Sequence, residues 1–169
     1  MSKKPPTADS LTDALRAFQA TRKTLQMATV SAEGDPLASY APFVPGNNGE
    51  FFVFLSALAG HTRNLAVHPV ASVLLIEDEA TAGNLFARHR VSLRCDVKRL
   101  SRDDPDFDSI MAQFRQRFGA IVDTMIELPD FNLHALMPNG GSFIRGFGEA
   151  YTVVEGKVVS SEPRRPGAR

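Results

Sequence analysis

A single cysteine, Cys95, stands in this chain of 169 residues, which excludes an internal disulfide framework and any zinc site built from thiolates alone. A reducing compartment, the cytoplasm, is the expected setting. Excess charge is also missing: 19 Lys and Arg balance 19 Asp and Glu, so no uniform field draws the protein to nucleic acid or to an anionic membrane. No apolar run approaches the ~20 residues of a membrane span, and Met1 to Ser10 lacks the apolar centre of a signal peptide. Neither nucleic acid nor a membrane is an expected partner. Paired metal-ligand spacings are absent as well; His68, His89 and His134 are scattered and read as surface or partly satisfied histidines.

What is present is ordinary globular material, 43% apolar, enough to build a core. Composition predicts disordered ends at residues 1–10 and 160–169 around one domain at 11–159. Leu11, Leu15 and Phe18 stripe one face of a first helix, which Ser10 is placed to cap. Strands are expected at Leu25–Val30, Leu37–Val44 and Phe51–Leu55, joined as an antiparallel meander by Gly, Pro and Asn turns. His61–Val67 reads as a short helix stopped by Pro69, and Val70–Ile76 as a buried strand. Val91, Leu93, Cys95 and Val97 alternate with Arg90, Ser92, Arg94 and Asp96, the period of a half-buried strand. Phe107 to Phe118 forms a helical stripe that Ile121, Val122 and Met125 extend beyond Gly119. Phe131–Leu136 and Phe143–Val153 read as two strands parted by Pro138-Asn139-Gly140-Gly141. Six or seven strands with few helices imply a small antiparallel barrel, since closure removes exposed edges.

Several polar groups have the chemistry of a site. Ser56 and the run His61-Thr62-Arg63 at a helix start offer hydroxyls, an imidazole, a guanidinium and free backbone N–H groups, suited to a phosphate or carboxylate. The competing reading is that Ser56 or Thr62 only caps the helix. Arg88 and Arg90 share a parity, so their guanidiniums either clamp one anion or blunt an edge strand. Gly146, Gly148 and Ala150 would line one strand face, open to a flat ligand or to close packing. Glu77-Asp78-Glu79 reads as a solvated acidic turn rather than a metal site, and Cys95 as a small buried hydrophobe. Asp130 after Pro129 indicates a turn.

Taken in order, Thr24–Val30, Ala38–Val44, Gly60–Leu65, Ile76–Glu79, Leu85–Arg90 and Gly146–Tyr151 resemble the haem-utilisation (HugZ-type) branch of the pyridoxamine 5'-phosphate oxidase-like FMN-binding split β-barrel superfamily. The resemblance runs from about Arg22 to Val153. It implies a mainly β, α+β fold, an antiparallel split barrel with peripheral helices that pairs into a homodimer, with a small planar cofactor, haem or FMN, at the subunit interface. In the wider superfamily FMN phosphate is held by the segment that here is Ser56 to Arg63, with His61 in the place of a lysine and Ser39 in the place of an arginine. In the haem branch the matching residues are His61, Arg88 and Arg90, with Asp130 a weaker match. Members that degrade haem take an axial histidine from a C-terminal segment; here no histidine follows His134. The functions implied are haem binding with oxidative degradation driven by an external electron donor, an FMN-dependent oxidoreductase, or a haem carrier or sensor without catalysis.

Overall fold

The computed structural model describes residues 6–164. In chain order the elements are α1 (Ala8–Thr21), β1 (Thr24–Val30), β2 (Pro36–Pro45), β3 (Phe51–Ser56), α2 (Gly60–Val67), β4 (Val70–Ile76), a single 3-10 turn at Leu85–Ala87, β5 (Arg90–Leu100), α3 (Phe107–Phe118), α4 (Ile121–Glu127), β6 (Phe131–Gly146), β7 (Glu149–Val154) and β8 (Lys157–Val158). The strands pair antiparallel in the order β3-β2-β1-β4-β5-β6-β7-β8, and a further β3–β6 ladder closes the first six into a barrel. The expected meander is present as β1, β2 and β3, and the barrel and the α+β class are as the resemblance implied.

Alternation builds the lumen. Leu25 and Met27, Val73 and Leu75, and Val91, Leu93 and Cys95 all point inward and are almost fully buried, with Phe43, Phe51 and Phe143 filling the volume between them. Helix α1 closes one end through Leu11, Leu15 and Phe18, and burying each leucine stabilises the fold by about 2 kcal/mol. Thr12 Oγ1 accepts a bond from the Val158 N–H at 3.0 Å, tying α1 to β8. A second core lies on the outer face, where α3 and α4 place Phe107, Ile110, Phe114 and Val122 against Phe54 and Leu133. Gly119, with φ +81°, parts the two helices at the glycine interruption expected in the stripe.

Several expectations are corrected. The N-cap of α1 is Thr7, not Ser10; Ser10 sits three residues later, and the two form a reciprocal capping box that starts the helix inside the stretch expected to be disordered. The rest of those expected disordered ends divides: residues 1–5 and 165–169 lie outside the described residues, while the Arg164 N–H donates to the Ala150 carbonyl at 2.6 Å. The expected pair of strands at Phe131–Leu136 and Phe143–Val153 is instead one continuous β6. Pro138 sits opposite Cys95 at a bulge, where its missing N–H is tolerated, and Gly141 lies so flat on β5 that a Cβ would collide with the Ser92 carbonyl oxygen. The reversal falls later, at Gly146 to Glu149, with Gly148 at φ +75°. Gly146 and Gly148 therefore form a hairpin turn rather than a strand face for a flat ligand, and eight strands replace the six or seven expected.

Candidate functional site

The seven site residues named from the sequence do not converge within one chain. They fall into two groups at opposite ends of the β5–β6 ladder, which runs from Arg90 opposite Ile144 to Leu100 opposite Leu133. At a strand rise near 3.3 Å, the two ends are on the order of 30 Å apart along the strands.

The first group surrounds the junction of β3, α2 and β6. Ser56 Oγ donates to Asp130 Oδ2 at 2.5 Å and accepts from the Leu58 N–H at 3.1 Å, while the Ala57 N–H donates to the Asp130 carbonyl at 2.8 Å. The chain is thereby pinned before α2 begins. Asn64 Nδ2 donates to Thr29 Oγ1 at 3.0 Å, which fastens the helix to β1. The N-cap of α2 is Ala59, which makes no side-chain bond, so the capping role offered for Ser56 or Thr62 is not filled by either. Thr62 instead turns inward and is buried, and Arg63 gives an Nη1 bond to the Leu58 carbonyl. His61 is half-buried, and burial holds its imidazole below the ordinary value of 6.5, so it is neutral at pH 7.

The second group surrounds the turn between β4 and β5. Arg88 precedes the strand and does not share a face with Arg90: its Nε and Nη2 both donate to the Glu77 carbonyl, and Nη1 meets Glu79 Oε1 at 3.2 Å. Most of its donors hold the loop. Arg90 gives an Nη1 bond to the Arg88 carbonyl at 3.0 Å, and its other donors make no hydrogen bond among the described residues. His89 is partly buried; its ring lies edge-on to Phe18 at 5.2 Å and against Phe143 at 5.7 Å. Burial, then the nearby Arg145, lowers its pKa. Two aromatic rings flank this end almost wholly in solvent, Phe86 at 92% and Phe147 at 89% exposure.

A family model described as pyridoxamine 5'-phosphate oxidase matches residues 11–145, the stretch that folds into the closed barrel with α2 across it. The chain belongs to the pyridoxamine 5'-phosphate oxidase family. Within that family it is 45% identical over 139 residues to the haem oxygenase HutZ of Vibrio cholerae, a match spanning 82% of this chain and 78% of that protein. The crystal structure of HutZ, there described as the haem storage protein of Vibrio cholerae, aligns at a TM-score of 0.71 and 39% identity over 87% of this chain and 96% of the other. Campylobacter jejuni ChuZ aligns at a TM-score of 0.81 and 29% identity over 95% of this chain and 66% of its own.

The sequence reading missed Arg99, Asn132 and His134, which line a cavity beneath α2 together with Thr62. A signal for them was available: the inward register Val91, Leu93, Cys95, Val97 continues to Arg99, and a cation on the lumen side of a barrel strand is out of pattern. His134, taken for a surface or partly satisfied histidine, is buried at 6% exposure because β6 places it on the same inward face as Leu136.

Proposed function

We propose that the protein binds haem, as cargo or substrate, in a cleft completed by two copies of the chain in the cytoplasm. The observation that carries this reading is the separation of His61 from Arg90 by the length of the β5–β6 ladder, farther than one planar ligand reaches. A two-fold homodimer brings His61 of one copy to Arg88 and Arg90 of the other, because an isologous interface presents unlike ends of the same surface to each other. Supporting it are the names of its relatives, haem oxygenase and haem storage protein, and the six motifs of the haem-utilisation branch.

Each residue group suits its part. Arg90 presents guanidinium donors to the carboxylates on the ligand's rim, in the planar geometry that favours arginine over lysine. Arg88 shapes the loop that carries it, through Glu77 and Glu79. His61, neutral because it is partly buried, would have a nitrogen lone pair to offer to bound haem. Asp130, held by Ser56, places a carboxylate beside α2. The FMN reading fares less well on this geometry: an FMN phosphate at the start of α2 would meet a neutral His61, an Arg63 engaged with Leu58 and a Thr62 hydroxyl turned into the barrel.

Subunit mixing tests the site. His61→Ala and Arg90→Ala homodimers should each bind haem about tenfold more weakly, the loss of one strong polar contact. Heterodimers of the two variants contain one site with both lesions and one with neither, so half of the high-affinity haem returns. No recovery on mixing rules out the shared cleft. Adding ascorbate to the haem complex then separates the two roles: a decaying Soret band marks an oxygenase, and a stable one marks storage.

A further inference from the structure

The lumen of this barrel changes character at the end that α2 covers. On β5 the inward positions Val91, Leu93, Cys95 and Val97 lead to Arg99, and on β6 the inward series from Leu136 continues to His134 and Asn132, with Arg99 directly opposite His134. Inward positions of small barrels are ordinarily filled by apolar side chains. Here they line, with α2, an open-mouthed cavity of about 520 Å³, with Arg99 at its exposed edge. Its volume falls within the range of small-molecule sites, which favour barrel mouths.

The polar groups in it are arranged rather than left over. Thr62 is 8% exposed, yet its hydroxyl has no hydrogen-bond partner among the described residues. Buried hydroxyls are almost always satisfied, so this one is waiting for an acceptor or donor that the chain does not supply. Arg99 Nη2 donates to Asn132 Oδ1 at 2.6 Å, which fixes the guanidinium plane and leaves its other donors unused by the carboxamide. His134 is 6% exposed and faces the Asn132 carbonyl through Nδ1 at 3.2 Å, which leaves its second ring nitrogen for a ligand. Leu65 and Val97 supply an apolar wall beside this polar cluster.

We propose that the barrel mouth binds a small carboxylate with a short apolar body, its carboxylate on Arg99 and the Thr62 hydroxyl and its body against Leu65 and Val97. A carboxylate accepts from both donors at once, and the hydrocarbon wall excludes a fully hydrated ion. The site lies away from Arg88 and Arg90, on the inner side of α2 and one residue along from His61, and does not rest on the haem reading. His134 reports its occupancy. In the free protein burial, with Arg99 and His61 close by, lowers the pKa of that imidazole although its bond to the Asn132 carbonyl opposes the shift. A bound carboxylate favours the charged ring and moves its resonances.

The full chain is titrated with butyrate, and separately with inorganic phosphate, in a buffer free of other carboxylates and phosphates, followed by histidine-ring NMR and calorimetry. Butyrate should saturate and shift the His134 ring resonances, and Arg99→Gln and the near-isosteric Thr62→Val should each weaken it about tenfold. A haem titration of the unmutated protein should keep its midpoint in saturating butyrate. Absence of a saturable His134 shift in the unmutated protein overturns the proposal, as does unchanged butyrate affinity in both folded variants. Saturation by phosphate and not by butyrate overturns the carboxylate assignment. Competition between butyrate and haem overturns the separateness of the two sites.

Discussion

Ser56 and Asp130 lie 74 residues apart in sequence, and the hydroxyl of the first donates to the carboxylate of the second at 2.5 Å. The bond joins the last residue of β3 to the turn that starts β6, where the two strands also pair backbone to backbone, Ser56 opposite Phe131. A short bond to a charged acceptor is stronger than one between neutral groups. It fixes both the exit of β3 toward α2 and the direction of the Asp130 carboxylate.

Replacing Ser56 with alanine should therefore cost about 1–3 kcal/mol, since the carboxylate loses a charge-assisted bond and the Leu58 N–H loses its acceptor. Urea unfolding measures this, with Ser56→Thr as the variant that keeps the hydroxyl. A change below about 0.5 kcal/mol in Ser56→Ala would mean that solvent replaces the bond freely.

Phe86, in the turn before β5, and Phe147, in the β6–β7 turn, lie at the Arg90 end of the barrel with 92% and 89% of their surface exposed. If two copies close the haem cleft at this end, a charge placed there weakens the pairing as well as the cleft. Phe86→Asp and Phe147→Asp should convert a dimer into a monomer in light scattering at micromolar concentration and reduce haem uptake. An undisturbed dimer in both variants puts the interface on another face.

Acid should destabilise the protein below pH 6.5. Burial lowers the pKa of His61, His89 and His134 from their ordinary value of 6.5. The unfolded chain binds more protons than the native one between the folded values and 6.5, so stability rises with pH in that window. The contribution is fully present above 6.5 and is lost as pH falls through the folded pKa values. Thermal melts should show a level Tm from pH 7.5 to about 6.5 and a falling one from there to pH 5, and the fall should flatten in His89→Gln and His134→Gln. A Tm independent of pH over that range would contradict the sign.

Cys95 is fully buried on the inward register of β5, and burial, with Asp96 adjacent, pushes its thiol up to about 12. The thiolate is the nucleophile, so iodoacetamide at pH 8 should leave the native protein unmodified and alkylate it once urea unfolds the barrel. Mass spectrometry before and after unfolding distinguishes the two. Rapid alkylation of the native protein would require the β4–β5–β6 surface to open.

Much of the architecture was legible from local pattern. The alternation Val91 to Val97 names both the strand and its buried face, because side chains on a strand point to opposite sides in turn. The stripe Leu11, Leu15, Phe18 names the inner face of α1 for the corresponding helical reason. The motif order from Thr24 to Tyr151 pointed to the right family. The N-cap was misplaced by three residues because Thr7 and Ser10 are both capping types, and only the bond geometry tells the cap from its partner. The run Pro138 to Gly141 looked like a turn because proline and glycine end strands on average. In this barrel they are the residues that let β6 bulge and lie close on β5.

The amino-acid sequence by itself determined the elements, the lumen face of each strand and the residue types available for chemistry, since all three follow from spacing and side-chain properties. Only the tertiary structure decided which of those residues meet. Arg88 and Asp130 are each 27 or more residues from His61, yet β5 and β6 carry one to the far end of the barrel and the other to the near end. Arg99 and His134, distant in sequence, became opposite neighbours under α2. Strand pairing register sets such distances, and register is settled by the closure of the whole sheet rather than by any one segment.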